Sequence, residues 1–233
     1  MGLFKESIRN HFFKRGSSEA SLDARVCLLD SSGNAIGSDN LKRVMSYAMT
    51  KDDCVDMGLP SGRLWAKCNI GAVSPEGRGM YFSWGNLEPH QKDQGYDFSQ
   101  AVYNNTTGAS ILTDLTLEQD AAHCLLGGLW HMPSKEDFQE LYDNCTTAWT
   151  TNYNSTGIAG RVFTSNNNSN TLFFPAAGLY NGTTLNNEGS YGLYWSSSFY
   201  SATSAYGLSF SSSGVYPQNS NGRRYGFSVR PVQ

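Results

Sequence analysis

The spacing of apolar positions changes along the chain, and the changes divide it into regions. Over Leu3–Lys14, Phe4, Ile8 and Phe12 recur at helical spacing until Gly16-Ser17-Ser18 breaks the pattern. Ala24–Leu29, followed by Asp30-Ser31-Ser32-Gly33-Asn34, predicts a strand running into a turn, and Leu41–Met49 carries a weaker helical pattern. Two helices are better marked. Thr116 and Gln119 have capping-box spacing ahead of Asp120–Leu125, and Gly127-Gly128 supplies the stop. Ser134 stands as an N-cap before Lys135-Glu136-Asp137, with acids in the first turn where the helix dipole favours them. Phe138, Leu141, Tyr142 and Cys145 then form one apolar stripe.

Beyond Thr151 the pattern is that of strands. Leu172-Phe173-Phe174, Leu193-Tyr194-Trp195, Leu208, Phe210, Phe227 and Val229 interrupt a background of Ser, Gly, Asn, Thr and Tyr, which predicts short strands between polar loops. In Gly207–Ser211 the alternation predicts Leu208 and Phe210 inside and Gly207, Ser209 and Ser211 outside. Strands on both sides of two short central helices predict an α+β fold with a loop-rich, mostly antiparallel β region. The main domain is expected over 54–233. Residues 1–53 read as an accessory segment, either for attachment and assembly or packed on the main domain.

Composition narrows the function classes. Of 233 residues only 16% are charged and 13% are aromatic, the reverse of a disordered chain. The net charge is −3 and no basic patch dominates, so no nucleic-acid partner is expected. Apolar runs such as Thr171–Gly178 are too short to cross a bilayer, so membrane insertion is not expected. The N-terminus has no apolar stretch of signal-peptide length, and Glu6 breaks the myristoylation pattern. Cys27, Cys54, Cys68, Cys124 and Cys145 are odd in number and widely spaced, which predicts buried thiols. The N-x-[ST] triplets at Asn104, Asn154 and Asn181 read as by-products of polar loops.

Catalytic chemistry is hard to place. His11, His90, His123 and His131 lack zinc spacing, and Asp93, Asp97, Asp114 and Asp120 do not form a calcium loop. Nucleophile-elbow, phosphate-loop and dinucleotide motifs are missing, so no catalytic residue, metal or cofactor is expected. The stretch 196–225 is more informative. Phe199, Tyr200, Tyr206, Tyr216 and Tyr225 stand among Ser, Gly and Asn, a blend that also serves antibody paratopes, where stiff aromatics supply contact area. The bland alternative is a Ser-rich β surface.

Several motifs occur in order. Val55-Asp56-Met57-Gly58-Leu59-Pro60-Ser61-Gly62 is followed by Leu64-Trp65-Ala66, then by the segments Gly79–Gly85, Gly127–Ser134, Phe174–Gly178, Gly192–Ser198 and Gly226–Val232. Together they resemble bacterial and phage C-type-lectin-like domains of the Fibrobacter-type paralogous kind. Within that group, 196–225 is similar to the variable region of proteins diversified by retroelements. In those systems misread template adenines convert Asn codons into a restricted residue set, and from Ser196 to Tyr225 only Gln218 falls in the excluded group.

The resemblance implies a C-type-lectin-like fold that carries a receptor-binding surface on a constant scaffold. By position, Trp195, Leu208, Phe210, Phe227 and Val229 would be scaffold. Phe199, Ser201, Ser204, Gly207, Ser209, Ser211, Gly214 and Tyr216 would face the ligand, and Asn219, Ser220, Asn221, Gly222 and Arg224 would extend that face. The calcium–sugar triplet and W-N-D motif of animal C-type lectins are missing, so calcium-dependent sugar binding is not implied. The implied function is a phage tail-tip or fibre adhesin in the virion, assembled in the host cytoplasm, that contacts a bacterial cell-surface receptor. Residues 1–53 would join tail proteins, with homo-oligomerisation as a further expectation. One alternative is a cell-surface or cytoplasmic binding protein of the same fold. Another is a formylglycine-generating-type enzyme, to which Gly127–Leu141 is similar, although no cysteine follows Cys145.

Overall fold

The computed structural model describes residues 53–92, 95–98 and 111–233, all within the compact unit Val44–Gln233. The accessory segment expected over 1–53 lies outside the described residues, Asp53 excepted.

Twelve strands and two helices follow one another among the described residues. Strands β1 (Cys54–Asp56) and β2 (Leu64–Ala66) form an antiparallel pair, and β3 (Tyr81–Phe82) follows. Helices α1 (Ala121–Leu126) and α2 (Lys135–Asp143) come next. A meander of β4 (Cys145–Tyr153), β5 (Ile158–Ser165) and β6 (Thr171–Pro175) leads to the hairpin β7 (Leu179–Asn181) and β8 (Thr184–Asn186). The chain then builds β9 (Tyr191–Phe199), β10 (Ser204–Ser211), β11 (Val215–Gly222) and β12 (Phe227–Ser228). These four join β3 in a five-stranded sheet of order β11-β10-β9-β12-β3, in which β12 runs parallel to β9 and the other pairs are antiparallel.

This corrects the expected α+β, C-type-lectin-like fold with its loop-rich β region. The protein is mostly β: strand and bridge residues account for 41% of the described residues and helix for 10%. The helices are short, at 6 and 9 residues, whereas segments that look like polar loop are strands. Cys145–Tyr153 is rich in Thr, whose branched β-carbon suits a half-exposed pleated surface. Val215–Gly222 pairs with β10 although its own side chains are mostly polar.

The helix caps follow local chemistry. Helix α1 begins after Asp120, not Thr116: Asp120 Oδ1 accepts from His123 N at 2.9 Å, and Oδ2 accepts from Met132 N at 2.7 Å. Burial holds this carboxyl above its ordinary range. Thr116 and Gln119 do pair, Thr116 N donating to Gln119 Oε1 at 3.1 Å, but in a separate turn before the helix. In α2, Ser134 and Asp137 complete a capping box, and Phe138 and Leu141 are buried as the stripe requires; Cys145, expected as its last member, is buried too but opens β4, beyond the helix end at Asp143. Tyr142, the remaining member, stays 38% exposed.

Alternate residues of β9 and β10 feed two different clusters, so the central sheet is covered on both faces. Leu193, Trp195 and Ala205 pack with Trp84, Met132 and the alanines of α1. Tyr194, Leu208 and Phe210 pack with Phe138 and Leu141 of α2 and with Phe163, Leu172 and Phe174 of β5 and β6. Trp65, Trp84, Trp130 and Trp195 are all buried, as their size leads one to expect. Trp84 Nε1 donates to Ser196 O and Trp195 Nε1 to Phe82 O, each at 2.8 Å, so two of these large rings also lock β9 to its surroundings.

Arg230 joins these layers. It is fully buried, no carboxylate of the described residues pairs with it, and three backbone oxygens and the Asn69 side chain take its donors. Its Nε donates to Asn69 Oδ1 at 2.8 Å, Nη1 to Ala66 O at 3.2 Å and Lys67 O at 3.0 Å, and Nη2 to Phe173 O at 3.0 Å. The guanidinium also lies 4.6 Å from the Phe174 ring centroid. A lysine would keep the charge but lack the planar fork that reaches four acceptors. Arg230→Lys is expected to cost about 3 kcal/mol, since each stranded buried acceptor costs ~1–3 kcal/mol, and urea unfolding of the full chain measures it. A change within about 0.5 kcal/mol, the range of ordinary surface substitutions, would show that the fork carries no such weight.

Cys145 gives a second check on the core. Burial pushes its thiol up to about 11, so at pH 8 it stays protonated and enclosed. Iodoacetamide at pH 8 is expected to leave Cys145 unmodified in the native protein and to alkylate it in urea, as read by peptide mass spectrometry.

Candidate binding surface

Two hairpins shape the candidate surface, and local hydroxyls close both tips. At the β9–β10 tip, Ser201 Oγ accepts from Ser204 N at 3.1 Å and from Thr203 N at 3.4 Å, while Ser201 N donates to Ser204 O at 2.9 Å. At the β10–β11 tip, Ser211 N donates to Gly214 O at 3.0 Å and the Ser211 and Ser213 hydroxyls meet at 2.8 Å. Arg161 of β5 steadies this second tip by donating through Nη2 to Ser211 O at 2.8 Å. The tips lie at opposite ends of β10, whose eight residues span roughly 25 Å.

The thirteen candidate residues therefore do not form one patch. Ser201, Ser204, Asn221, Gly222 and Arg224 gather at one end, where Ser204 pairs with Gly222 in register. Ser209, Ser211, Gly214, Tyr216 and Asn219 gather at the other, where Ser209 pairs with Tyr216. Ser220 lies between them on β11, opposite Tyr206 of β10. Tyr216, Asn219, Ser220 and Arg224 are exposed, while Ser201, Ser204, Gly214, Asn221 and Gly222 are half-buried.

Four of the candidates need correcting. Gly207, Ser209 and Ser211 alternate with Leu208 and Phe210 as expected, yet they are buried. The alternation assigns them to the opposite face, but that face is also covered. A Cβ at Gly207 would overlap the Tyr194 carbonyl oxygen. Ser209 Oγ accepts from Asn219 Nδ2 at 2.9 Å, and Ser211 is drawn into the tip just described. Phe199, expected to face a ligand, is half-buried against the Trp84–Trp195 cluster. Its N–H donates to Asp114 Oδ1 at 2.7 Å, and the Arg223 guanidinium lies 5.1 Å from its ring.

A depression of about 290 Å³ opens at the Tyr216 end. Tyr191, Tyr216, Asn187, Asn219 and Ser209 supply its polar lining, and Leu179, Leu193 and Phe210 its apolar lining. Tyr216 is 60% exposed and Tyr191 46%. Tyr191 and Asn187 precede the segment singled out in the sequence. Their signal is local: Asn187 has φ 59°, and its carbonyl accepts from Tyr191 N at 3.0 Å, closing a turn that ends on an aromatic at the first position of β9.

The lining carries no formal charge. Glu188, next to Asn187, is ion-paired with Arg78 and with Lys92. The other end carries charge, with Arg224 exposed and Lys135 lying 5.1 Å from the Tyr206 ring centroid while paired with Glu136 at 2.8 Å. Among the described residues, no three or more His, Cys, Asp or Glu side chains are grouped so as to hold a metal ion. No helix among them is long and apolar enough to cross a membrane.

A family model described as a domain of unknown function (DUF8237) matches residues 148–232, which takes in β5 to β12 and both tips. Neither the curated proteins nor the solved structures contain a match to the chain.

The two kinds of position should separate in stability. Gly207→Ala is expected to lower the melting temperature by several degrees, because its methyl group meets backbone rather than a yielding side chain. Tyr216→Ala should leave the melting temperature nearly unchanged. Calorimetry of the two variants beside the parent chain checks the contrast, and equal melting temperatures would count against it.

Proposed function

We propose that the chain is a receptor-binding protein, an adhesin of a phage tail tip or fibre that meets a bacterial cell-surface receptor through β11 and the adjoining tips. The observation that carries the reading is the run Tyr216, Gln218, Asn219 and Ser220, exposed along an edge strand whose neighbours β9 and β10 are buried on both faces. Such an edge can change its side chains without disturbing the core. Pro217 interrupts the outer hydrogen-bonding row of β11, which disfavours unwanted pairing with another strand and leaves recognition to side chains. The motif resemblance to retroelement-diversified proteins supports the same reading. The accessory segment 1–53 would serve for attachment to tail proteins and for homo-oligomerisation.

Adsorption of fluorescently labelled full-length protein to bacterial strains tests the reading. Saturable binding to particular strains is expected, and Tyr216→Ala or Asn219→Ala should weaken it about tenfold or more while preserving the melting temperature. Binding that survives both substitutions together would remove β11 from the contact. The retroelement version is tested in the coding DNA, where substitutions relative to a nearby repeat should be confined to template adenines. Substitutions spread over all four template bases would overturn that version.

A further inference from the structure

We propose that the depression between Tyr191 and Tyr216 is a subsite for a neutral sugar ring, bound without a metal. The inference rests on the receptor-binding reading and names the chemistry that one end of that surface would take.

The argument begins with what the lining offers. Two exposed tyrosines from different strands border one opening of about 290 Å³, near the lower limit for a small-molecule site. A tyrosine ring presents an apolar face with a hydroxyl at its edge, and it orders at little entropic cost. Asn219 spends one N–H on Ser209 Oγ at 2.9 Å, so its second N–H and its carbonyl oxygen remain for a ligand. The Asn187 amide adds another donor–acceptor pair on the opposite rim. A pyranose ring has the complementary surface: patches of C–H for the aromatic faces, and a rim of hydroxyls that both donate and accept.

Charge narrows the ligand further. The lining contains no cation to pair with a phosphate, sulfate or carboxylate, and the neighbouring Glu188 is held by Arg78 and Lys92. An anionic ligand would thus enter without a partner, at a cost, whereas a neutral sugar brings no charge to desolvate. The same lining holds no carboxylate for a bridging calcium ion, so binding should be indifferent to a chelator. Tyr191 and Asn187 lie outside 196–225, so half of the site would stay constant while Tyr216 and Asn219 set selectivity.

The test is saturation-transfer NMR on the full chain with the methyl glycosides of glucose, galactose, mannose and N-acetylglucosamine, each in EDTA. Transfer to the ring C–H protons of at least one glycoside is expected. Tyr191→Ala and Tyr216→Ala should each weaken binding about tenfold or more, Tyr216→Phe should largely retain it, and Tyr200→Ala, an exposed tyrosine at the far tip, should leave it intact. Transfer to none of the four glycosides would overturn the proposal, as would transfer that survives Tyr191→Ala and Tyr216→Ala combined. The cell-adsorption assay separates the two readings. Adsorption that depends on Tyr216 but shows no glycoside transfer removes the sugar and leaves the receptor-binding surface standing.

Discussion

The packing of the described residues depends on a buried cation held by neutral oxygens. Arg230 lies where β2, β6 and the loop carrying Asn69 meet, and its donors reach oxygens from each of them. Asn69 extends the junction, donating through Nδ2 to Arg78 O at 2.9 Å and to the Tyr194 hydroxyl at 3.4 Å. Tyr194, its hydroxyl pushed up to about 12 by burial, donates in turn to Pro175 O at 2.7 Å. The central sheet thus connects to the meander β4–β6 through polar contacts with defined geometry as well as apolar packing. A guanidinium that donates to several fixed carbonyls constrains where each strand end can stand, which a smooth apolar contact does not.

That constraint shapes the candidate surface. Because the sheet is anchored on one face to α2 and the meander and on the other to α1 and the Trp84 region, β9 and β10 have little side chain left for solvent. Exposure is displaced to β11 and to the two tips. Arg161 and Arg223 likewise donate to backbone oxygens, at opposite ends of the surface. The first donates to Ser211 O, and the second to Ile111 O at 2.6 Å while lying 4.3 Å from the Trp84 ring centroid. Each holds one end of a region whose exposed residues are small, polar or aromatic. Variation at the surface and constancy beneath it are compatible for this reason.

The two ends also differ in chemistry. The Tyr216 end is neutral, with rings and amides around a depression, whereas the other end carries the exposed Arg224 and the half-buried Lys135, which lies over Tyr206 and is paired with Glu136. The two ends lie roughly 25 Å apart, the length of β10, and one offers an uncharged contact and the other a contact that includes charged side chains. Such a division suits an extended partner better than a compact one.

Local chemistry in the sequence determined the features that need only near neighbours. Ser134 with Asp137 makes the α2 cap, Phe138 and Leu141 make its buried stripe, and the alternation in β10 sends Leu208 and Phe210 to the core. Four of the five tryptophans are buried as large apolar rings tend to be, whereas Trp149 on the Thr-rich β4 stays half-buried. Tertiary structure decided what the other side of each strand meets. Gly207, Ser209 and Ser211 read as surface because period-two alternation separates two faces, yet it cannot tell whether the second face is covered. Polar Val215–Gly222 became a strand because β10 offered an unpaired edge, and Thr-rich Cys145–Tyr153 because β5 did. The start of α1 moved to Asp120 because Met132 N, 12 positions away, supplied the second donor its carboxylate needed. Tyr191 joined Tyr216 only when the strands were laid in order, since the contact depends on sheet pairing rather than on sequence spacing.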